Sequence, residues 1–232
     1  MAGAATVAAQ GLSSASAQSA TTSPLSGLSA AQALAASEAA GESAGSAHIS
    51  VRMTAGRTSA TFVEDSGIQT GEQIITQGKV RATVILAGGI AYIRGNKTAV
   101  TSYFGFSKAS ASELTNRWIS LQSTDSGYAT VTSGVTLASV FEQIAPTAHL
   151  SLDKTSVVDE QHVVGISGTM AEGRTTLFVA AEGAPLVVAA KVSLVSGSTE
   201  GSEAATFSHW GEAFNLTAPA GAIPVSSLVS GG

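Results

Sequence analysis

The 232-residue sequence contains no cysteine, which excludes a disulfide scaffold and a cysteine-based metal site and leaves the redox compartment open. Charge is also scarce. Only 12% of residues are charged, about half the ~25% of an average soluble domain. The eleven basic residues are scattered from Arg52 to Lys191 and never form a run, and the net charge is −5. Nucleic-acid binding needs a clustered basic face, so that class is excluded. Aromatics make up 5% of the chain, and much of the 44% hydrophobic content is alanine. The surface must therefore be covered largely by Ser, Thr, Gly and Ala, as is common outside the cytoplasm.

No charged side chain occurs in residues 1–37, MAGAATVAAQGLSSASAQSATTSPLSGLSAAQALAAS. The stretch is too polar to span a bilayer, which needs about 20 mainly apolar residues. It lacks the basic start and strong apolar core of a signal peptide, although Ala15-Ser16-Ala17 has the form of a cleavage site. Residues 1–27 read as a disordered Ala/Ser/Thr-rich tether, with a single domain over 28–232. Such a tether holds an exported domain off a membrane or wall, and then the true start and its signal lie upstream.

What is present is a change of period along the chain. AAQALAASEAAGESA is rich in helix formers, with Ser29 as N-cap, Gly45 as stop and an expected apolar stripe of Leu28, Ala31, Leu34 and Ala35. From HISVRMTAG onward the period becomes two, with Ile49, Val51 and Met53 on one face. Turns at Gly56-Arg57 and Gly88-Gly89 give about five antiparallel strands in a meander. Short helices are expected in NKTAVTSYF, SKASASELTNRW and TLASVFEQIA, with an irregular stretch from Trp118 to Gly134. Five more strands follow, the last in ATFSHWGEAFNL.

Strand blocks separated from helix blocks indicate an α+β fold with an antiparallel sheet. Several strands are apolar on both faces. In KVRATVILAGGIAYIRGN no charge occurs from Ala82 to Ile93, and Ile85 stands where a solvent-facing residue should be. Either such residues are singly exposed on a polar-poor protein, or the sheet curves around something apolar that the chain does not supply.

The order of AYIRGN, NRWISL, SGVTLAS and FSHWGEAFNLTAPA, with the Ala-rich leading helix and Trp210-Gly211, resembles the actinobacterial LppX/LprG-type cell-envelope lipoproteins over about residues 28–228. The resemblance implies an antiparallel β half-barrel, a U-shaped sheet whose concave face is covered by helices around a hydrophobic cavity. It implies a non-enzymatic, extracytoplasmic carrier whose partners are lipid or lipoglycan acyl chains, with no cofactor. Members of that family carry a lipid-modified cysteine, which this sequence lacks, so any membrane anchor is expected upstream. On this reading the cavity wall falls to Val51, Met53, Phe62, Val84, Leu86 and Phe178 from strands. Helices would add Val100, Tyr103, Phe104, Leu137, Val140, Phe141 and Ile144. Taken singly, each reads first as packed core; the cavity wall is a reading of the group.

Enzyme motifs are weak. Ser151–Lys154 matches S-x-x-K, but on a strand-like segment and without its companion motifs. Gly71–Lys79 has the wrong spacing for a phosphate loop. His48, His149, His162 and His209 lack a paired metal-ligand spacing. A protein of the same fold with a filled interior, acting in envelope assembly or interaction, is the alternative to a carrier.

Overall fold

The computed structural model describes residues 23–171, 173–196 and 199–229. Most of the expected tether, residues 1–22, lies outside them. Leu25, just beyond, is buried against the core.

The leading helix α1 spans Ala30–Ala44, with Ser29 and Gln32 forming a reciprocal capping box and Gly45 ending it in the left-handed region. Its buried stripe is Ala33, Ser37 and Gly41, not the expected Leu28, Ala31, Leu34 and Ala35, of which Ala31 and Ala35 are exposed. The reason is close approach. A Cβ on Gly41 would stand 3.1 Å from the Phe141 ring and 3.4 Å from Trp210, so this face of α1 must be small. Leu28 and Leu34 pack at the margin of the same cluster.

The first meander is β1 (Ser46–Ala55), β2 (Thr58–Gly67), β3 (Gly71–Gln77), β4 (Val80–Ala87) and β5 (Ile90–Gly95). Its alternation and Gly-containing turns match the sequence pattern. The next segment does not form ordinary helices. Ala99–Tyr103 is a π-helical turn, closed by Phe104 N–H donating to Ala99 O at 2.9 Å. Asn96 Oδ1 caps it by accepting from Ala99 N–H at 2.9 Å. Then come α2 (Ala111–Leu114), β6 (Ile119–Leu121), α3 (Tyr128–Thr132) and α4 (Leu137–Ile144). Three-residue β6 lies in the stretch read as irregular, because so short a strand carries no visible period.

The second block is β7 (Ala148–Leu152), β8 (Ser156–Val158), β9 (Gln161–Met170), β10 (Gly173–Ala180), β11 (Val187–Ser196) and β12 (Thr199–Ser208). Trp210 to Leu216, expected as part of a last strand, lies beyond the end of β12. A two-residue β13 (Ile223–Pro224) and α5 (Val225–Val229) close the described chain.

The described strands form one thirteen-stranded open sheet, ordered β13-β6-β5-β4-β3-β2-β1-β12-β11-β10-β9-β7, with β8 also on β9. The two meanders are joined where β1 pairs with β12, Ile49 opposite Phe207. Every pairing is antiparallel except β13 with β6. The architecture is the α+β half-barrel.

Two packed clusters share the helix-covered face. One joins Ala33 of α1 and Leu137, Val140, Phe141 and Ile144 of α4 to β1 and β9–β12. The other joins β3–β6 to the π-turn and α2, with Tyr128 and Val131 of α3 against it. Trp210 belongs to the first, stacked on Phe207 at 5.9 Å and donating its indole N–H to Val187 O at 3.0 Å. Ile85 and its cross-strand partner Tyr92 face away from Val84 and Ile93, yet only 9% and 8% of their surface is exposed.

Candidate functional site

The helix that organises the site is α4. Thr136 caps it, Ser139 N–H donating to Thr136 Oγ1, and Thr175 Oγ1 donates to Ile144 O at 2.7 Å at its far end. The chain just before it presses on β3: a Cβ on Gly71 would overlap the Val135 carbonyl oxygen. The helix is therefore fixed at both ends, and it separates two hollows.

On one side, between α1, α4 and the β2–β3 turn, lies a groove of about 680 Å³. Leu137, Ala138, Phe141, Ala145, Pro146 and Ile68 supply its apolar lining. Glu38, Glu42 and Glu142 stand among them, and no basic residue does. Burial and then the neighbouring Glu42 carboxylate push the Glu38 carboxyl above its ordinary range.

Beneath α4, against the sheet, is a pocket of only about 70 Å³. Val51, Met53, Phe62, Val140 and Ile144 line it together. That small volume leaves the space between helix and sheet nearly filled, well under the roughly 300–1,000 Å³ of ligand pockets.

The pocket also holds side chains that the sequence reading did not single out: Glu64, Gln73, Gln143 and Glu203. Glu64 and Gln73 are opposite each other on β2 and β3, and only 4% and 6% exposed. Gln73 Nε2 donates to Glu64 Oε1 at 2.8 Å, while the buried Glu64 Oε2 has no hydrogen-bond partner among the described residues. Burial is the largest influence on Glu64. Together with the charge of Glu203 it outweighs the Gln73 hydrogen bond and pushes the carboxyl up to about 7. Burial raises Glu203 as well. A signal for these residues exists in the sequence. Glu64 is in phase with Phe62, Gln73 with Ile75, and Glu203 with Ala205 and Phe207, so each polar group falls on the inward parity of its strand.

The remaining wall candidates fall elsewhere. Leu137 and Phe141 line the outer groove. Val84, Leu86 and Val100 are buried in the second cluster, and Phe104 packs against it. Tyr103 is 42% exposed, edge-to-face with Phe104 at 5.4 Å. Phe178 alternates with core residues Leu177 and Val179, so it faces the other side of the sheet, where the Lys191 ammonium lies 5.5 Å from its ring centroid. Arg94, similarly, stacks 4.7 Å over Trp118. His48 and His209 do converge, their rings 5.8 Å apart, and His48 Nδ1 donates to Asp65 at 2.7 Å. Among the described residues, however, no three His, Cys, Asp or Glu side chains are grouped to hold a metal ion. No described helix is long and apolar enough to cross a membrane.

This open sheet with helices on one face is the LppX/LprG-type fold. The chain is similar to the crystal structure of the Mycobacterium tuberculosis lipoprotein LppX, with a TM-score of 0.52 and 20% identity, covering 81% of this chain and 98% of that one. It is also similar to LprF from Mycobacterium bovis, at a TM-score of 0.48 and 15% identity, covering 83% and 97%. No family model matches the sequence. No curated protein matches it either.

Proposed function

We propose that the protein is a non-enzymatic, extracytoplasmic lipid-binding or lipid-transport protein, and that the groove between α1 and α4 receives an acyl chain. One observation carries this reading: the groove's volume of about 680 Å³, within the range of ligand pockets, with an apolar lining. Each methylene moved from water into such a lining gains roughly 0.8 kcal/mol, so binding needs little polar chemistry. The likeness to a lipoprotein fold supports a place in the cell envelope, attached to a membrane through an upstream anchor or secreted. The lipid sits in the outer groove on this reading, and not in the interior hollow that the sequence suggested.

A second reading is favoured by the other hollow. An interior of about 70 Å³ fits an assembly or interaction protein that fills its own half-barrel. Organic extraction of the purified protein followed by mass spectrometry separates the two. Stoichiometric acylated species support the carrier. Extracts without lipid, from protein that also takes up none when offered it, support the interaction protein.

A further inference from the structure

We propose that the outer face of the sheet carries a phosphate-binding pocket between Arg81 of β4 and Arg94 of β5. This goes beyond the acyl-groove reading and does not depend on it. Ile75, Ala82, Val84 and Ile93 belong to the packed cluster on the helix-covered face. Their neighbours Ile74, Arg81, Thr83 and Arg94 therefore point to the other side. With Thr76 and Asn116 they line a pocket of about 310 Å³.

The fold assembles what the sequence keeps apart. Thr76 is opposite Arg81, and Thr83 is opposite Arg94. Arg94 is thus a diagonal neighbour of Arg81, at a spacing of roughly 7–8 Å that one anion can bridge with two long side chains. No Asp or Glu lines the pocket. Among the described residues the one ion pair is His48 with Asp65, so neither arginine is neutralised by contact. Glu72 feels the Arg94 charge but does not line the pocket.

Both guanidinium groups are already restrained. Arg81 Nη1 donates to Gly78 O at 2.8 Å and to Val80 O at 2.7 Å, which leaves Nε and Nη2 without an acceptor among the described residues. Arg94 is stacked over the Trp118 ring, which leaves its N–H edge free to donate. Restrained forks lose little side-chain freedom on binding. Asn116 adds an exposed amide, its backbone held in the left-handed region by donating to Gly95 O at 2.8 Å.

The lining selects the chemistry. Two cations without an acid select an anion. A carboxylate has two oxygens and saturates one fork, whereas a phosphate monoester has three terminal oxygens and reaches both. Ile74, 46% exposed, is opposite Val63, 39% exposed, so an apolar substituent on the ester has a surface to lie on. The same group occurs on a lipid headgroup and on a soluble phosphate, and the test separates the two.

The test is an NMR titration of the full chain, following the arginine Nε–H signals and the backbone amides of Thr83 and Gly95. The probes are inorganic phosphate, dihexanoyl phosphatidic acid and acetate at constant ionic strength. Phosphate should give saturable shifts with a Kd on the order of millimolar, and acetate should bind about fivefold more weakly or not at all. Phosphatidic acid binding about threefold or more tighter than phosphate assigns the group to a lipid. Equal or weaker binding assigns it to a soluble phosphate. Arg94→Gln and Arg81→Gln should each weaken phosphate about fivefold. Arg52→Gln, an exposed arginine on β1 outside the pocket, should leave it unchanged. Should Arg81→Gln fail to fold for want of its carbonyl contacts, Arg94→Gln decides alone. No saturable shift with phosphate, acetate as tight as phosphate, an unchanged affinity in folded Arg94→Gln, or an equal loss in Arg52→Gln would each overturn the proposal.

Discussion

Gln73 donates its side-chain N–H to Glu64 across the β2–β3 ladder at 2.8 Å, in the middle of a cross-sheet row that is otherwise apolar. The row runs Ile119, Ile93, Val84, Gln73, Glu64, Ile49, Phe207. Val84 belongs to one packed cluster and Ile49 to the other. The polar pair therefore marks the seam between them, and α4 lies over its pocket.

That seam makes stability depend on pH. The Glu64 carboxyl moves from 4.5 to about 7 on folding, so between those values the native state holds a proton that the unfolded chain has lost. Stability must fall as pH rises through this window and level off above it, by about 3 kcal/mol for this group. Glu38, Glu72 and Glu203 are shifted the same way and add to the trend. Urea unfolding at pH 4.5 and pH 8 should show the loss, and Glu64→Gln should remove about 3 kcal/mol of the difference. Equal pH dependence in both proteins would contradict the assignment to Glu64.

Gly71 is the point where the chain before α4 touches the sheet. Its φ is not in the left-handed region, so the demand for glycine here is space alone, set by the Val135 carbonyl. Gly71→Ala should push that segment off β3 and cost roughly 1–3 kcal/mol by overpacking, read as a drop in denaturation midpoint. A neutral substitution would mean that α4 is less firmly seated than its contacts indicate.

Much of this architecture was legible in the sequence. The N-cap at Ser29, the five-strand meander and the apolar stripe of α4 all follow from local chemistry, and all are present. The short pieces were not legible. β6 and β13 pair by tertiary placement, with too few residues to show a period. The small-residue face of α1 was not legible because the two leucines, Leu28 and Leu34, set the phase of the expected stripe, while the contact with Phe141 and Trp210 demands the smaller residues beside it. For the site, strand parity brought Val51, Met53 and Phe62 together. Parity also carried Glu64 and Gln73 inward, but polar side chains in a strand ordinarily stand on the solvent face, so nothing in the alternation singled them out. Phe178 was misleading for the opposite reason: an aromatic in an apolar strand looks like core until its neighbours Leu177 and Val179 are seen to own that face.

The groove can be blocked without disturbing the core. Ala138 is exposed on α4 and lines the groove, whereas Val140 on the same helix is 6% exposed. Ala138→Trp should abolish or strongly reduce uptake of a fluorescent fatty-acyl probe while leaving thermal stability within about 0.5 kcal/mol of wild type. Val140→Trp, by contrast, should cost stability through overpacking. Unchanged uptake in folded Ala138→Trp would place the acyl chain elsewhere.

The most direct measurement is photo-crosslinking with a diazirine-bearing acyl chain, followed by peptide mapping. Adducts should concentrate on Leu137–Thr147 and around Ile68, the two segments that face α1 across the groove. Absence of saturable labelling, or labelling confined to the opposite face of the sheet around Phe178, would contradict the account.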